Sequence, residues 1–141
     1  MRTRTVFAIT MLAILANHAA LAEDWLSLTK TSDDHPTEIF IDLSSVVLKN
    51  NIRTVWTKSV LLSPQGNDER RIAFGIQPMS FDCKASLVQA GSIEIHYTDT
   101  ERLGFIDTHK SWKPADDPLT QMLERLVCTF KHPASSNTIQ R

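Results

Sequence analysis

Residues 52–76, with the sequence IRTVWTKSVLLSPQGNDERRIAFGI, contain the longest strand pattern in the chain. Apolar and polar side chains alternate on both sides of a segment rich in turn formers, residues 63–68, and a period of two is typical of paired β-strands. The stretch therefore predicts a long antiparallel hairpin. Four apolar side chains of its first strand share one face: Ile52, Trp56, Val60 and Leu62. We expect this face, and Trp56 with it, to lie in the core.

Further strand signals lie on either side of this hairpin. Its second strand continues toward Pro78, which cannot donate a hydrogen bond to a ladder, so we expect the strand to end there, to bulge or to lie at an edge. Residues 93–98 alternate most regularly, and residues 25–29 and 38–42 are shorter strand candidates. These segments together predict a sheet of several strands.

Residues 116–130 change to a helical period. Asp117 is a suitable capping carboxylate, and Pro118 suits the first helical turn. Apolar residues then recur at spacings of three and four: Leu119, Met122, Leu123, Leu126, Val127 and Phe130. Strands followed by one helix predict an α+β fold, in which an antiparallel β-sheet of about five to six strands packs against one C-terminal α-helix. We expect this helix to cover the Trp56 face of the sheet.

The composition is that of one globular domain. The chain has 141 residues, of which 42% are hydrophobic and 22% are charged. This length and this balance fit a single domain with a buried core. Its 15 basic and 16 acidic side chains give a net charge of −1. Nucleic-acid binding usually requires a basic excess, so we expect no nucleic-acid partner.

The first 22 residues have the pattern of a secretory signal peptide. Arg2 and Arg4 precede a run of eleven uncharged residues, and the small residues Ala20 and Ala22 occupy the third and first places before a cut. We therefore expect export, with cleavage after Ala22. The mature chain then has 119 residues, with 13 basic and 16 acidic side chains and a net charge of −3.

The mature chain is expected to consist of a single domain, residues 23–131, and a flexible C-terminal tail, residues 132–141. The tail is polar and rich in helix breakers, and chain ends of this kind are often poorly ordered. No later apolar stretch approaches the roughly 18 residues of a spanning helix, so we expect no integral membrane segment. No cysteine lies near the cut, so we expect a periplasmic or extracellular protein, including the cell surface, without a lipid anchor.

Cys83 and Cys128 are the two cysteines of the chain. An even count in an exported protein favours one disulfide, because the periplasm and the exterior are oxidising, and two free buried thiols are the alternative. The separation of 45 residues and the lack of further thiols exclude a CxxC redox pair and a thiolate zinc site. On a helical wheel of about 100° per residue, Cys128 points about 180° away from the apolar stripe. We therefore expect either that the helix loosens near Val127 or Cys128, or that Cys83 lies on an edge segment wrapping the helix flank.

Familiar catalytic signatures do not occur in the sequence. It contains no GxSxG elbow, no HExxH helix and no glycine-rich phosphate loop. His96 with Asp99, and His109 with Asp107, have the residue types for metal binding or acid–base chemistry. They define an alternative function, a small periplasmic hydrolase or metal-dependent enzyme. Solvated surface residues are the simpler interpretation, and we expect no metal and no cofactor.

Two other features are candidates for partner binding. Asp33 and Asp34 lie in a polar stretch that suits a cation or a basic partner, and a solvated loop is the simpler interpretation. Trp112 lies between Lys110 and Lys113. It either clamps the loop before the helix or is exposed for a partner, since tryptophan is common in recognition surfaces.

Several short motifs follow one another in a characteristic order. They are Trp25, residues 39–46 (IFIDLSSV), residues 53–56 (RTVW), residues 81–83 (FDC), residues 112–114 (WKP) and Val127-Cys128. This ordered set, which spans about residues 25–130, resembles the surface-adhesin protein E family of exported bacterial proteins. The resemblance implies an antiparallel sheet and a C-terminal helix joined by a disulfide between Cys83 and Cys128. It implies no catalytic residues, because the shared positions are structural in character.

The resemblance also implies a function. The family is named for adhesion to host matrix and serum proteins. We therefore expect an exported, non-enzymatic binding protein that engages a protein partner through a sheet face, an edge strand or loops. The chain departs from the family pattern in having no lipid-anchor cysteine, so attachment to the outer membrane does not follow from the resemblance.

Overall fold

The computed structural model describes residues 24–32, 34–65, 71–98, 103–108, 110–131 and 133–135, which form nine strands and one helix. In chain order the elements are β1 (Trp25–Lys30), β2 (Thr37–Lys49), β3 (Ile52–Gln65), β4 (Ile72–Asp82), β5 (Leu87–Ala90), β6 (Ile93–Tyr97), β7 (Leu103–Ile106), β8 (Lys113–Pro114), α1 (Pro118–Thr129) and β9 (Ala134–Ser135). The predicted hairpin is present as β3 and β4. These strands pair antiparallel without a shift from Ile52 opposite Asp82 to Val60 opposite Phe74. The prediction of a long hairpin is confirmed.

All nine described strands belong to one sheet. β1, β2, β3 and β4 lie side by side in this order, and beyond β4 the sheet divides. One half of β4 pairs with β5, which pairs with β8, whereas the other half pairs with β6, which pairs with β7. Every pairing is antiparallel except the short contact of β9 with β2. The predicted α+β class is confirmed, and the strands β8 and β9 have two residues each.

Pro78 lies inside β4, at the point where the sheet divides. On the side away from β3, β4 changes its partner from β6 at Ile76 to β5 at Met79. The Pro78 carbonyl accepts a hydrogen bond from the Gly91 N–H at 2.8 Å. Its nitrogen points to the same side, so the missing N–H faces the connection between β5 and β6. β4 therefore lies at an edge of the sheet only locally, at Pro78. This local edge allows the strand to continue through a proline.

β2 contains a large irregular bulge opposite the first half of β3. Four of its residues, Leu43–Val46, lie opposite one residue of β3, Val55. The Ser44 N–H donates to Asp42 Oδ1 at 3.0 Å, and the Ser45 hydroxyl donates to the Asp42 carbonyl at 2.6 Å. Ser45 Oγ in turn accepts a backbone N–H of β3 at 2.9 Å. Short polar side chains that bond nearby backbone stabilise irregular strand geometry, so the DLSS segment at 42–45 has a structural role.

α1 packs against one face of the sheet, and the core lies between them. Five sheet residues and two helix residues form the buried cluster: Ile41, Val46, Val55, Phe81, Val88, Leu123 and Val127. On β3, the odd-numbered positions face the helix. Because successive side chains of a strand point to opposite faces, the even-numbered positions of β3 lie on the side away from α1.

The prediction that Trp56 lies in the core was wrong. Trp56 is 44% exposed, while its neighbour Val55 is fully buried beneath α1. Alternation identifies the residues that share a face, but it does not identify which face a distant helix covers. The helix side of β3 also includes Arg53, whose guanidinium donates hydrogen bonds at the C-terminal end of α1. The composition of β3 alone therefore indicates the wrong face as the one buried beneath α1.

Both ends of α1 have polar partners. The Asp117 carboxylate caps the N-terminus by accepting the Thr120 N–H at 2.9 Å and the Thr120 hydroxyl, and proline occupies the first turn, as predicted. At the other end, the Arg53 guanidinium donates to the carbonyls of Val127 at 3.0 Å and Phe130 at 2.6 Å. The last carbonyls of a helix lack intrahelical partners, so Arg53 both satisfies them and ties α1 to β3.

The cap at Asp117 makes a pH-dependent contribution to stability. The pKa of Asp117 lies below its usual value because the carboxylate accepts hydrogen bonds. The bond from the Thr120 hydroxyl has the larger effect, and the bond from the Thr120 N–H has the next largest. Stabilisation from a lowered pKa is complete above the unfolded-state pKa of about 3.9 and is lost as the pH falls through the folded-state pKa. We expect Asp117→Ala to cost about 1 kcal/mol at pH 7, and the difference from wild type to shrink in acid.

Urea unfolding of both proteins at pH 7 and pH 3 measures this difference. Asp117→Asn is the control, because its single amide oxygen can still accept the Thr120 N–H bond while the side chain does not titrate. A difference between wild type and Asp117→Ala that stays constant or grows on acidification would contradict the assignment.

Cys83 and Cys128 form a disulfide, with their Cα atoms 5.7 Å apart. Cys83 opens the turn at residues 83–86 that follows β4, and Cys128 lies in the last turn of α1. The disulfide prediction is confirmed.

The expected loosening of the helix near Val127 or Cys128 was wrong, because α1 continues to Thr129. The buried residues of α1 are Thr120, Leu123 and Val127. At about 100° per residue, Cys128 lies about 110° from the centre of this set, on the flank of the helix rather than its far side. A regular helix can therefore reach the turn that holds Cys83.

Some expectations concern residues outside the described ranges. The signal peptide (residues 1–22), Asp33 and His109 belong to this group, and cleavage after Ala22 stays a prediction. Within the predicted tail, the short strand Ala134–Ser135 pairs with Val47 and Leu48 of β2. The flexibility of the tail stays a prediction. Among the described residues, no helix is both long and apolar enough to cross a membrane.

Candidate functional site: the open face of the sheet

The sheet has a second face, opposite α1, which we call the open face. Directly opposed residues on neighbouring strands point to the same side of a sheet, so the register identifies the members of this face. Three neighbouring rows carry its aromatic side chains: Trp25, Asp42, Trp56 and Pro78; Ser27, Phe40, Lys58, Ile76, Glu94 and Phe105; and Lys30, Glu38, Val60, Phe74 and His96. Two further rows lie toward β5 and β8: Val47, Thr54, Ser80 and Gln89; and Lys49, Ile52, Asp82, Leu87 and Pro114. The one helix among the described residues packs on the other side, so it does not cover these side chains.

At the centre of the open face, Lys58 is surrounded by aromatic rings. Its Nζ lies 4.5 Å from the ring centroid of Trp25, 5.3 Å from that of Phe40 and 5.7 Å from that of Phe74. We call these four residues the Lys58 cluster. A ring within about 6 Å attracts a cation by about 0.5–1 kcal/mol at exposed sites. The rings come from β1, β2 and β4, so the cluster depends on correct pairing of four strands.

The carboxylates near the Lys58 cluster have partners of their own. Glu38 accepts the Ser27 hydroxyl at 2.6 Å and forms an ion pair with Lys30 at 3.6 Å. Asp42 is buried and accepts bonds within the bulge of β2. Among the described residues, no carboxylate lies within ion-pair distance of Lys58. The open face therefore has a half-buried cation without a counter-ion from this part of the chain.

His96 joins the open face through two contacts. Its ring stacks on Phe74 with the centroids 4.3 Å apart, and its Nε2 lies 2.6 Å from Glu94 Oε1. Its predicted partner Asp99 and the other candidate, His109, lie outside the described ranges. Within those ranges, no group of three or more metal-binding side chains could hold a metal ion. These contacts favour a structural role for His96 on the surface of the sheet over a role in metal binding.

Two aromatic side chains of the open face are strongly exposed. Trp56 is 44% exposed and Phe105 is 70% exposed. Trp56 lies in the row next to Lys58, and Phe105 lies at the end of the Lys58 row on β7. Exposed apolar patches often mark interaction sites, and tryptophan is frequent among the residues that dominate binding energy. The face therefore combines apolar contact area with one central positive charge.

The partner-binding candidates from the sequence lie elsewhere. Trp112 is 41% exposed and precedes β8, which extends the row of Arg53. Asp34 is exposed in the loop between β1 and β2, beside the row of Leu61. Arg53 and Leu61 are separated by roughly 26 Å along β3, since a strand rises about 3.3 Å per residue. Trp112 and Asp34 therefore do not form one site, and Asp33 lies outside the described residues.

The Lys58 cluster was not predicted from the sequence. The available signal was Lys58 itself, which lies between Trp56 and Val60 on the same face of β3. Lysine is almost never fully buried unless it is paired, so its presence indicates that this face remains partly accessible. The sequence gives no comparable indication that Phe40 and Phe74 contact Lys58, because these contacts depend on the pairing of separate strands.

The fold and the open face define a small, disulfide-linked α+β protein with an exposed aromatic sheet surface. The family model for surface-adhesin protein E matches residues 25–129, from β1 to the end of α1, and the chain belongs to this family. It is therefore an adhesin-like surface protein, and the resemblance found in the sequence is confirmed. Comparisons with curated proteins and with solved structures gave no significant match.

Proposed function

We propose that this protein is an exported, non-enzymatic binding protein that holds a protein partner on the open face of its sheet. The observation that supports this most directly is the exposure of Trp56 and Phe105 beside the Lys58 cluster, on the side away from α1. Membership of an adhesin family supports a protein partner. We propose host matrix and serum proteins as the class of partner.

The open face has the physical properties of a binding surface. Its aromatic side chains lie on paired strands, so little backbone freedom is lost when a partner docks. Lys58 holds the rings of Trp25, Phe40 and Phe74 in place. Large aromatic side chains provide much contact area with few rotatable bonds, which favours affinity.

Export is part of the proposal, because a partner outside the cell requires it. Residues 1–22 act as a signal peptide, and residues 23–131 form the exported domain. The mature protein lies in the periplasm, outside the cell or at the cell surface. An oxidising compartment agrees with the disulfide between Cys83 and Cys128.

We expect Trp56→Ala to weaken partner binding by about 30-fold, because a central interface tryptophan typically contributes about 2 kcal/mol or more. Trp112→Ala is the matched control. It removes the same type of side chain with a similar exposure, 41% against 44%, from the segment before β8, a strand that is separated from β3 by β4 and β5. Binding of both variants to immobilised extracellular-matrix and serum proteins can be measured by surface plasmon resonance, and circular dichroism melting confirms that both are folded.

The proposal is wrong if Trp112→Ala abolishes binding while Trp56→Ala leaves the affinity within about threefold of wild type. That result would place the partner on the segment before β8. Absence of saturable binding to any matrix or serum protein would contradict the proposed class of partner.

A further inference from the structure

Building on the proposed function, we infer that the partner segment on the open face carries a single carboxylate that pairs with Lys58. The occupant is a polypeptide segment in which an aspartate or glutamate lies between apolar side chains. Three features of the open face support this: the charge state of the Lys58 cluster, the charges around it and the side chains that flank Lys58.

The Lys58 cluster has a positive charge that its own contacts leave unneutralised. The rings of Trp25, Phe40 and Phe74 attract the ammonium group through their quadrupoles but have no net charge. They also exclude part of the surrounding water, and a charge pair is stronger where the effective dielectric constant is lower. An anion that reaches Lys58 therefore gains more than it would at a fully exposed lysine.

The charges around Lys58 favour one carboxylate over a polyanion. Glu38 and Glu94 lie on either side, and Glu94 is two strands away, a distance of roughly 10 Å at normal strand spacing. The nearby basic side chains on this face already have carboxylate partners, Lys30 with Glu38 and His96 with Glu94. Nucleic acids, sulfated glycans and anionic membranes require clusters of free cations, and their successive charges would meet these two carboxylates.

The neighbours of Lys58 determine what surrounds the partner's carboxylate. Phe40 and Ile76 lie directly opposite Lys58 on the strands to either side. Trp56 and Val60 precede and follow it on the same face of β3. A carboxylate that reaches Lys58 thus passes between apolar surfaces, so apolar residues next to it in the partner sequence complete the contact.

Three terminally blocked pentapeptides test this inference. Their sequence is Ser-Leu-X-Leu-Ser, in which X is glutamate, glutamine or lysine, and each is titrated into the purified, isotope-labelled protein. NMR signals of the Lys58 side chain and of the tryptophan indoles report binding. We expect the glutamate peptide to bind about fivefold to tenfold more tightly than the glutamine peptide, and the lysine peptide to bind most weakly.

Two variants at position 58 separate charge from shape. Lys58→Met keeps a long apolar side chain but removes the charge, and it is expected to abolish the preference for glutamate. Lys58→Arg keeps the charge and the ring contacts, and it is expected to retain the preference. Unchanged melting curves exclude loss of folding as the cause.

Several results would overturn the inference. Equal affinity for the glutamate and glutamine peptides would do so, as would a preference for glutamate that persists in Lys58→Met, or no shift at Lys58 at millimolar peptide. Displacement of the glutamate peptide by heparin fragments, or by phosphatidylglycerol vesicles, would assign the site to a polyanion or a membrane surface.

Failure of this inference is distinguishable from failure of the proposed function. If Trp56→Ala abolishes partner binding while Lys58→Met leaves it unchanged, the open face is the binding surface and only the carboxylate is wrong. If neither variant changes partner binding, both ideas fail.

Discussion

Loss of the Cys83–Cys128 disulfide is expected to lower the free energy of unfolding by about 4 kcal/mol. The bond joins residues 45 positions apart. In the chain-entropy model, closing a loop of this size restricts the unfolded chain by about that amount. Domains are stable by only about 5–15 kcal/mol in total, so the reduced protein should be close to the limit of stability.

The position of the disulfide explains why its loss should destabilise the packing of the whole core. It ties the last turn of α1 to the end of β4, and α1 supplies Leu123 and Val127 to the buried cluster. Without the bond, the helix is held by its apolar packing, by the hydrogen bonds from Arg53 and by the bond from the Ser86 hydroxyl to Glu124. Detachment of α1 would expose the apolar surface of the core to water.

Urea unfolding of three samples measures this effect: oxidised wild type, reduced wild type and the Cys83→Ala/Cys128→Ala variant. Reduced wild type keeps both side chains, so it separates the loss of the bond from the loss of packing by sulfur. We expect similar losses in the second and third samples. A difference below about 1 kcal/mol between oxidised and reduced wild type would contradict the expected stabilisation.

Phe81→Ala is expected to cost about 3–5 kcal/mol, the range for truncating a large buried aromatic side chain. Phe81 is fully buried and belongs to the cluster beneath α1. It opposes Arg53 on β3 and Val88 on β5, so the cavity would open between the sheet and the helix. Phe81→Leu, at about 1–2 kcal/mol, provides a milder variant if the alanine protein does not fold.

Trp56→Ala is the control from the other face of the sheet. Trp56 is larger than Phe81 but 44% exposed, so we expect a cost of about 1 kcal/mol. Chemical denaturation of both variants gives the comparison. A cost for Trp56→Ala equal to that of Phe81→Ala would mean that the open face is packed against another part of the protein.

The sequence predicted those parts of the fold that depend on neighbouring residues. Alternation gave the hairpin of β3 and β4, and Asp117 with Pro118 marked the start of α1. The prediction for the end of α1 was wrong, because the apolar stripe of the helix and its buried face do not coincide. In the structure Thr120 lies in the buried set, and this rotates the contact surface toward Cys128.

The candidate site was only partly visible in the sequence. Lys58 in the middle of an apolar strand face is a signal that the face is accessible. The predictions for Trp112 and Asp34 rest on residue type and on nearest neighbours in the chain. The ring contacts of Lys58 join residues on four strands, and Trp25 is 33 positions away from it in the chain. Patterns of near neighbours contain no information about such distant pairs.

The sequence by itself determined β1 to β4, β6 and the start of α1, because periodicity, turn chemistry and capping act between residues close in the chain, and its ordered motifs indicated the family. It did not predict β5, β7, β8 or β9. Tertiary structure alone decided that α1 covers the Val55 face and leaves the Trp56 face open. It also decided that Trp25, Phe40 and Phe74 meet around Lys58. The physical reason is that the composition of β3 favours burial of the Trp56 face, whereas the face that is buried depends on helix packing and strand register, which join residues far apart in the chain.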